Sequence, residues 1–121
     1  MILELSEAAS NAMLNMLATV MDGGSIELQS DDGKTLAVLK LGNPAAKAAD
    51  DGTLEFNPIG AEDAALAEGT ATIAYVLSSD GSEVFVCDVG DVNSDAVIKL
   101  HPPKIYRGTP VLLRSFTLEI P

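Results

Sequence analysis

Apolar side chains recur at Ala9, Ala12, Met13, Met16, Leu17 and Val20. Those spacings of three and four trace one face of a helix and predict an α-helix over 6–22. Ser6 suits the N-cap, where its hydroxyl accepts from an unpaired amide of the first turn. Glu7 lies where the helix dipole favours negative charge. Gly23 and Gly24 supply the stop, since glycine takes left-handed dihedrals at little cost. Ser10, Asn11 and Asn15 form a polar opposite face. The helix is therefore expected to lie on something apolar, its own sheet or a neighbouring subunit. Met13 and Met16 are expected in a core or at a subunit contact, where methionine fills irregular gaps.

After Gly24 the period falls to two. Ile26 and Leu28 alternate with Glu27 and Gln29, and Asp31-Asp32-Gly33-Lys34 signals a hairpin turn. A second strand runs over 35–41 and ends at Gly42-Asn43-Pro44. Residues 45–52 read as a mobile loop. A short strand over 53–57 follows, and Pro58 puts its end at an edge. Residues 60–69 read as a loop or one helical turn. A strand over 70–78, the turn Ser79-Asp80-Gly81-Ser82 and a strand over 83–89 make a second hairpin. The 83–89 strand is apolar on both faces over much of its length, which predicts a central position. Short strands over 96–100, 104–106 and 111–120 complete the chain. One helix with seven or eight short strands predicts a mainly β fold: an antiparallel β-sandwich or small barrel with one N-terminal α-helix. No internal repeat or long linker divides it, so residues 1–121 are expected to form one domain.

Composition narrows the function classes. Seven basic and eighteen acidic residues among 121 give a net charge of −11. Such a surface repels phosphate backbones and anionic lipid heads, so neither nucleic acid nor membrane is an expected partner. No apolar run approaches the roughly 20 residues that span a bilayer. The first residues, Met-Ile-Leu-Glu-Leu-Ser-Glu, lack the basic start of a secretory signal, and synthesis in the cytoplasm is expected. One Cys and one His cannot build a disulfide framework or a zinc site within one chain. Cys87 reads as a small buried hydrophobe.

Candidate chemistry is sparse. His101 precedes Pro102-Pro103, and no Gly-x-Ser-x-Gly elbow or local nucleophile accompanies it. Asp91, Asn93 and Asp95 alternate like the opening of a calcium loop, without the glycine and closing glutamate that such loops carry. Asp31-Asp32 and Asp50-Asp51 are carboxylate pairs in loops. Catalysis by paired carboxylates would require them to converge. No catalytic residue, metal ligand or cofactor is assigned, and a non-enzymatic role is expected. Small β domains with exposed edge strands suit symmetric assembly, because unpaired edges invite partners. The Ala-rich loops 43–52 and 60–69 would serve as arms that order on contact, or as plain mobile surface.

The order of segments carries a resemblance. Leu-Ser-Glu-Ala-Ala-Ser-Asn-Ala at 5–12 leads into a helix ending Met-Asp-Gly-Gly-Ser-Ile-Glu-Leu at 21–28. Thr-Leu-Ala-Val-Leu-Lys-Leu-Gly-Asn-Pro-Ala follows at 35–45, then Gly69-Thr70-Ala71-Thr72 and Ser79-Asp80-Gly81. The chain closes with Gly108-Thr109-Pro110-Val111 and Ser115-Phe116-Thr117-Leu118-Glu119-Ile120-Pro121. This order resembles a family of small proteins encoded among the virion genes of tailed bacteriophages and prophages. The resemblance implies a virion structural protein, a head decoration or minor capsid protein on the outside of the shell. Its implied partners are the major capsid protein or other virion proteins, and its implied state is a homo-oligomer, a trimer at a symmetry point. A tail, neck or baseplate subunit and a non-virion binding module are the alternatives. Lys99, His101, Pro102, Pro103 and Lys104 depart from the Thr- and Ser-rich stretch usual in that family. Apolar side chains near the chain ends, Ile2, Leu3 and Leu5 with Phe116, Leu118 and Ile120, are the candidate partner contacts, with ordinary core packing the alternative for Phe116 and Leu118.

Overall fold

Two hairpins of the same design organise the chain. A computed structural model describes residues 5–60, 64–100, 102–113 and 116–119. In the first hairpin, strand β1 (Ser25–Gln29) turns into β2 (Thr35–Lys40). In the second, β5 (Ile73–Leu77) turns into β6 (Glu83–Gly90). Each turn follows the pattern Ser-x-Asp-Gly. Gly33 and Gly81 have φ of 82° and 88°, the left-handed region open to glycine. Gly33 N–H donates to Ser30 O at 3.0 Å, and Gly81 N–H donates to Ser78 O at 3.0 Å. Asp32 and Asp80 accept from the Ser30 and Ser78 hydroxyls. Ser82 N–H also donates to Asp80 Oδ1 at 3.0 Å. Both turns match their expected positions, because the φ demand and the Asx hydrogen bonds are local.

The hairpins pair through β1 and β5. The resulting five-stranded sheet has the order β2-β1-β5-β6-β7, with β7 at Ile98–Lys99. Its first four strands are antiparallel, and β7 runs parallel to β6. Register sets two inner rows across the four long strands, Leu39–Ile26–Val76–Phe85 and Ala37–Leu28–Ala74–Cys87. On β2, β1 and β5 these side chains are fully buried. Phe85 and Cys87 on β6 are only half-buried. The outer row Val38–Glu27–Tyr75–Val86 is partly exposed throughout.

The fold is mainly β with one helix, as expected. The strand expected over 70–78 is two pieces. Strand β4 (Gly69–Thr70) pairs with β8 (Lys104–Ile105), and β5 pairs with β1. Ala71 N–H still donates to Pro103 O, whereas Thr72 N–H donates to Gln29 O, so the chain changes partners between them. Strand β3 (Thr53–Glu55) pairs antiparallel with β9 (Thr117–Glu119). Beside that pair Phe116 stacks on Phe56, with ring centroids 4.4 Å apart.

Helix α1 (Glu7–Met21) starts where Ser6 predicts it, with Ala9 N–H donating to Ser6 Oγ at 3.1 Å. Its buried face differs from the expected one. Ser10, Leu14, Ala18 and Met21 are buried, while Met13, Met16 and Val20 face outward. The reason lies on its polar positions. Asn11 accepts from Gly52 N–H at 3.0 Å, Asn15 from Ala49 N–H at 2.7 Å, and Asp22, just past the helix, from Ala45 N–H at 2.7 Å. These three acceptors clasp the segment 45–52, which corrects its reading as a mobile loop. Within it Ala45 and Ala46 are buried. Part of the other Ala-rich loop is also tied in the chain by itself, through Ala65 N–H to Thr109 O at 2.8 Å and Gly108 N–H to Ala65 O at 2.9 Å.

The central position expected for β6 holds in the strand order, where it lies between β5 and β7, but only over its last residues. Only Val89 and Gly90 pair with β7. Between Glu83 and Cys87 the strand has no neighbour on its far side among the described residues. The opposite margin of the sheet is closed. Lys40 O accepts from Gly60 N–H and Leu36 O from Leu66 N–H, each at 2.8 Å.

The turns set a pH dependence. The Ser78 hydroxyl and the Ser82 amide hold the Asp80 carboxyl down to about 2, and the Ser30 hydroxyl lowers Asp32 in the same direction. A depressed carboxyl contributes stability that is complete above its unfolded value of about 4 and fades as pH falls toward the folded value. Denaturant titrations of the Asp80→Ala variant are therefore expected to show a shallower loss of stability between about pH 4 and pH 2 than the parent. An unchanged slope would show that the turn carboxylate does not couple to folding.

Candidate interaction surfaces

The positions singled out at the chain ends have different fates. Phe116 is 3% exposed and spends its ring on Phe56. Leu118 is half-buried opposite Leu54 on β3. Leu5 is 38% exposed just ahead of α1. Ile2, Leu3 and Ile120 lie outside the described residues, as does His101.

Two apolar features face away from the rest of the chain. The first is a stripe on α1 formed by Met13, Met16 and Val20, which are 55%, 67% and 48% exposed. Positions 13, 16 and 20 lie on one helix face. Each apolar side chain left in water forgoes the roughly 1.5–3 kcal/mol that full burial contributes. A lone exposed methionine is unremarkable, but a contiguous stripe of this kind marks a contact surface. The periodicity identifies the stripe and leaves it open between the core and a subunit contact. The clasp of Asn11, Asn15 and Asp22 on 45–52, a long-range contact, turned it outward.

The second feature is the free margin of β6. Val86 is 41% exposed, and its neighbours Val84, Phe85 and Cys87 are half-buried. No lysine or proline, the usual guards of a strand edge, stands between Glu83 and Gly90. An open cleft of about 260 Å³ lies near the other end of the chain, between Leu100, Ile105, Tyr106, Val111 and Leu112. Lys104 Nζ sits 5.6 Å from the Tyr106 ring centroid beside it.

The acidic loop serves the backbone. Asp91 Oδ1 accepts from Val92 N–H at 2.6 Å, Asp91 O accepts from the Ser94 hydroxyl at 2.6 Å, and Asp88 Oδ1 accepts from Val97 N–H at 2.8 Å. Through the last of these Asp88 ties β6 to the run-in of β7. Among the described residues no three His, Cys, Asp or Glu side chains gather as a metal site. No helix among them is long and apolar enough to cross a membrane. Comparison with protein families, with curated proteins and with solved structures finds no match.

Cys87 reports on the β6 margin. Burial, reinforced by the neighbouring Asp88 carboxylate, pushes its thiol up to about 11. Thiolate is the reactive form, so at pH 8 Cys87 is expected to react with a thiol reagent roughly a hundredfold more slowly than free cysteine. The rate should rise about tenfold per pH unit until the thiol titrates. Reaction at the rate of free cysteine at pH 8 would place the thiol in water.

Proposed function

We propose that this protein is a structural subunit of a tailed-bacteriophage virion, seated on the outside of the major capsid lattice. The observation that carries the reading is the uncovered stripe of Met13, Met16 and Val20 on α1. A domain of this kind works by adhesion, with an apolar stripe as anchor and its neighbours excluding water around it. The charge of −11 agrees with a place outside the shell, away from packaged nucleic acid. The segment order quoted for the phage family adds to the reading.

Methionines on a helix offer a flexible, polarisable surface that adapts to a partner's shape. Replacing one by a carboxylate places a charge at the centre of that contact, while the fold loses nothing because the side chain already faces water. Quantitative gels of purified virions, with heads and tails separated, test the proposal. The protein is expected in the head fraction. Met16→Glu is expected to lower its occupancy about tenfold or more with an unchanged melting temperature, since about 1.4 kcal/mol of lost contact is a factor of ten. Recovery with tails would move the subunit to the tail or neck. Absence from both fractions would end the virion reading.

A further inference from the structure

We propose that the free margin of β6 is a self-pairing edge, on which a second copy of this chain lays its own β6 antiparallel about a two-fold axis at Val86. This inference stands apart from the virion reading, since it concerns the isolated protein in solution.

The phase of the ladder comes first. Val89 N–H donates to Thr72 O at 3.0 Å, in register with the pairs Cys87–Ala74 and Phe85–Val76. In an antiparallel ladder the residues that exchange hydrogen bonds alternate with those that do not. Phe85, Cys87 and Val89 thus turn their main-chain groups toward β5, and Val86 turns its N–H and C=O outward. The register shift opposite Val76 and Leu77 marks the start of this stretch. β7 marks its end, where Leu100 N–H donates to Gly90 O at 2.8 Å and Val97 N–H donates to Asp88 Oδ1. Val86 stands between the two with neither outward group paired among the described residues.

A second copy satisfies those groups reciprocally. With the axis at Val86, each Val86 N–H donates to Val86 C=O of the second copy, the arrangement of a hydrogen-bonded antiparallel pair. Phe85 then faces Cys87 of the second copy on the core side, and both half-buried side chains gain cover. The contact ends on either side of this stretch, at the register shift between Glu83 and Phe85 and at β7, whose Ile98 already stands opposite Val89. The sheet's other margin, β2, is closed by Gly60 and Leu66. A cyclic trimer built by edge pairing would need two different free edges per chain, whereas a two-fold pair needs one. The occupant is therefore a second copy in a dimer, in place of the trimer implied by the family resemblance.

The contact opposes charge. Two chains of −11 repel, so the pairing should tighten as salt screens them. Attraction of a basic partner would weaken under the same change.

Light scattering and sedimentation of the full chain, from about 10 μM to about 1 mM, test the proposal. The mass is expected to rise from 12.6 kDa toward twice that value, with a dissociation constant that falls on adding sodium chloride. Val86→Pro removes the outward N–H and leaves the bonds to β5 in place. Val86→Glu keeps the N–H and sets two carboxylates beside the axis. Both variants are expected to weaken dimerisation at least tenfold while retaining the parent's far-ultraviolet circular dichroism. A wild-type mass of 12.6 kDa at every concentration, a trimeric mass, salt-weakened association, or a folded variant of either kind that dimerises like the parent would overturn the proposal.

Discussion

The structure depends on one continuous apolar surface, the inner face shared by β2, β1, β5 and β6. Leu39, Ile26 and Val76 form one buried row, and Ala37, Leu28 and Ala74 form the next. The first row is large throughout, and the second alternates small and large side chains. Truncating Leu28 or Ile26 would leave a cavity at the centre of that surface, a class of change that costs about 2–5 kcal/mol. The stacked rings of Phe56 and Phe116 belong to the same core cluster.

That layer does not end at a wall. Burial is complete on three strands and partial on β6, where Phe85 and Cys87 continue the rows at the margin. A small domain has limited material to cover its edges. This one spends the loop around Gly60 and Leu66 on the β2 margin and the clasped segment 45–52 against α1. The α1 stripe and the β6 margin are what that distribution leaves open. Both candidate surfaces are thus consequences of where the chain spends its loops.

Local features were legible in the sequence. The two Asp-Gly turns, the Ser6 cap and the alternation of β1 and β2 each depend on neighbours within a few residues. Features set by distant pairing were not. Asn11 and Asn15 looked like a solvated face until their acceptors met the amides of Gly52 and Ala49. The apolar run Val84–Cys87 suggested a strand with neighbours on both sides, yet composition does not say how many strands flank it. Loop 45–52 looked mobile from its Ala, Lys and Asp content, and three remote acceptors hold it. The candidate surfaces were half legible: Met13 and Met16 were read as core or subunit contact, and the choice between them hung on which helix face the chain itself would cover.

Residue-resolved amide hydrogen exchange on dilute protein tests the central claim, that the core fades out at β6 and leaves its outer side open. The main-chain phase predicts alternation along this strand: slow exchange at Phe85 and Cys87, whose amides point to β5, and fast exchange at Val86 between them, against uniformly slow exchange in β1 and β5. Slow exchange at Val86 equal to that of its two neighbours, in protein dilute enough to be a single chain, would contradict the account by showing that the chain covers this edge itself.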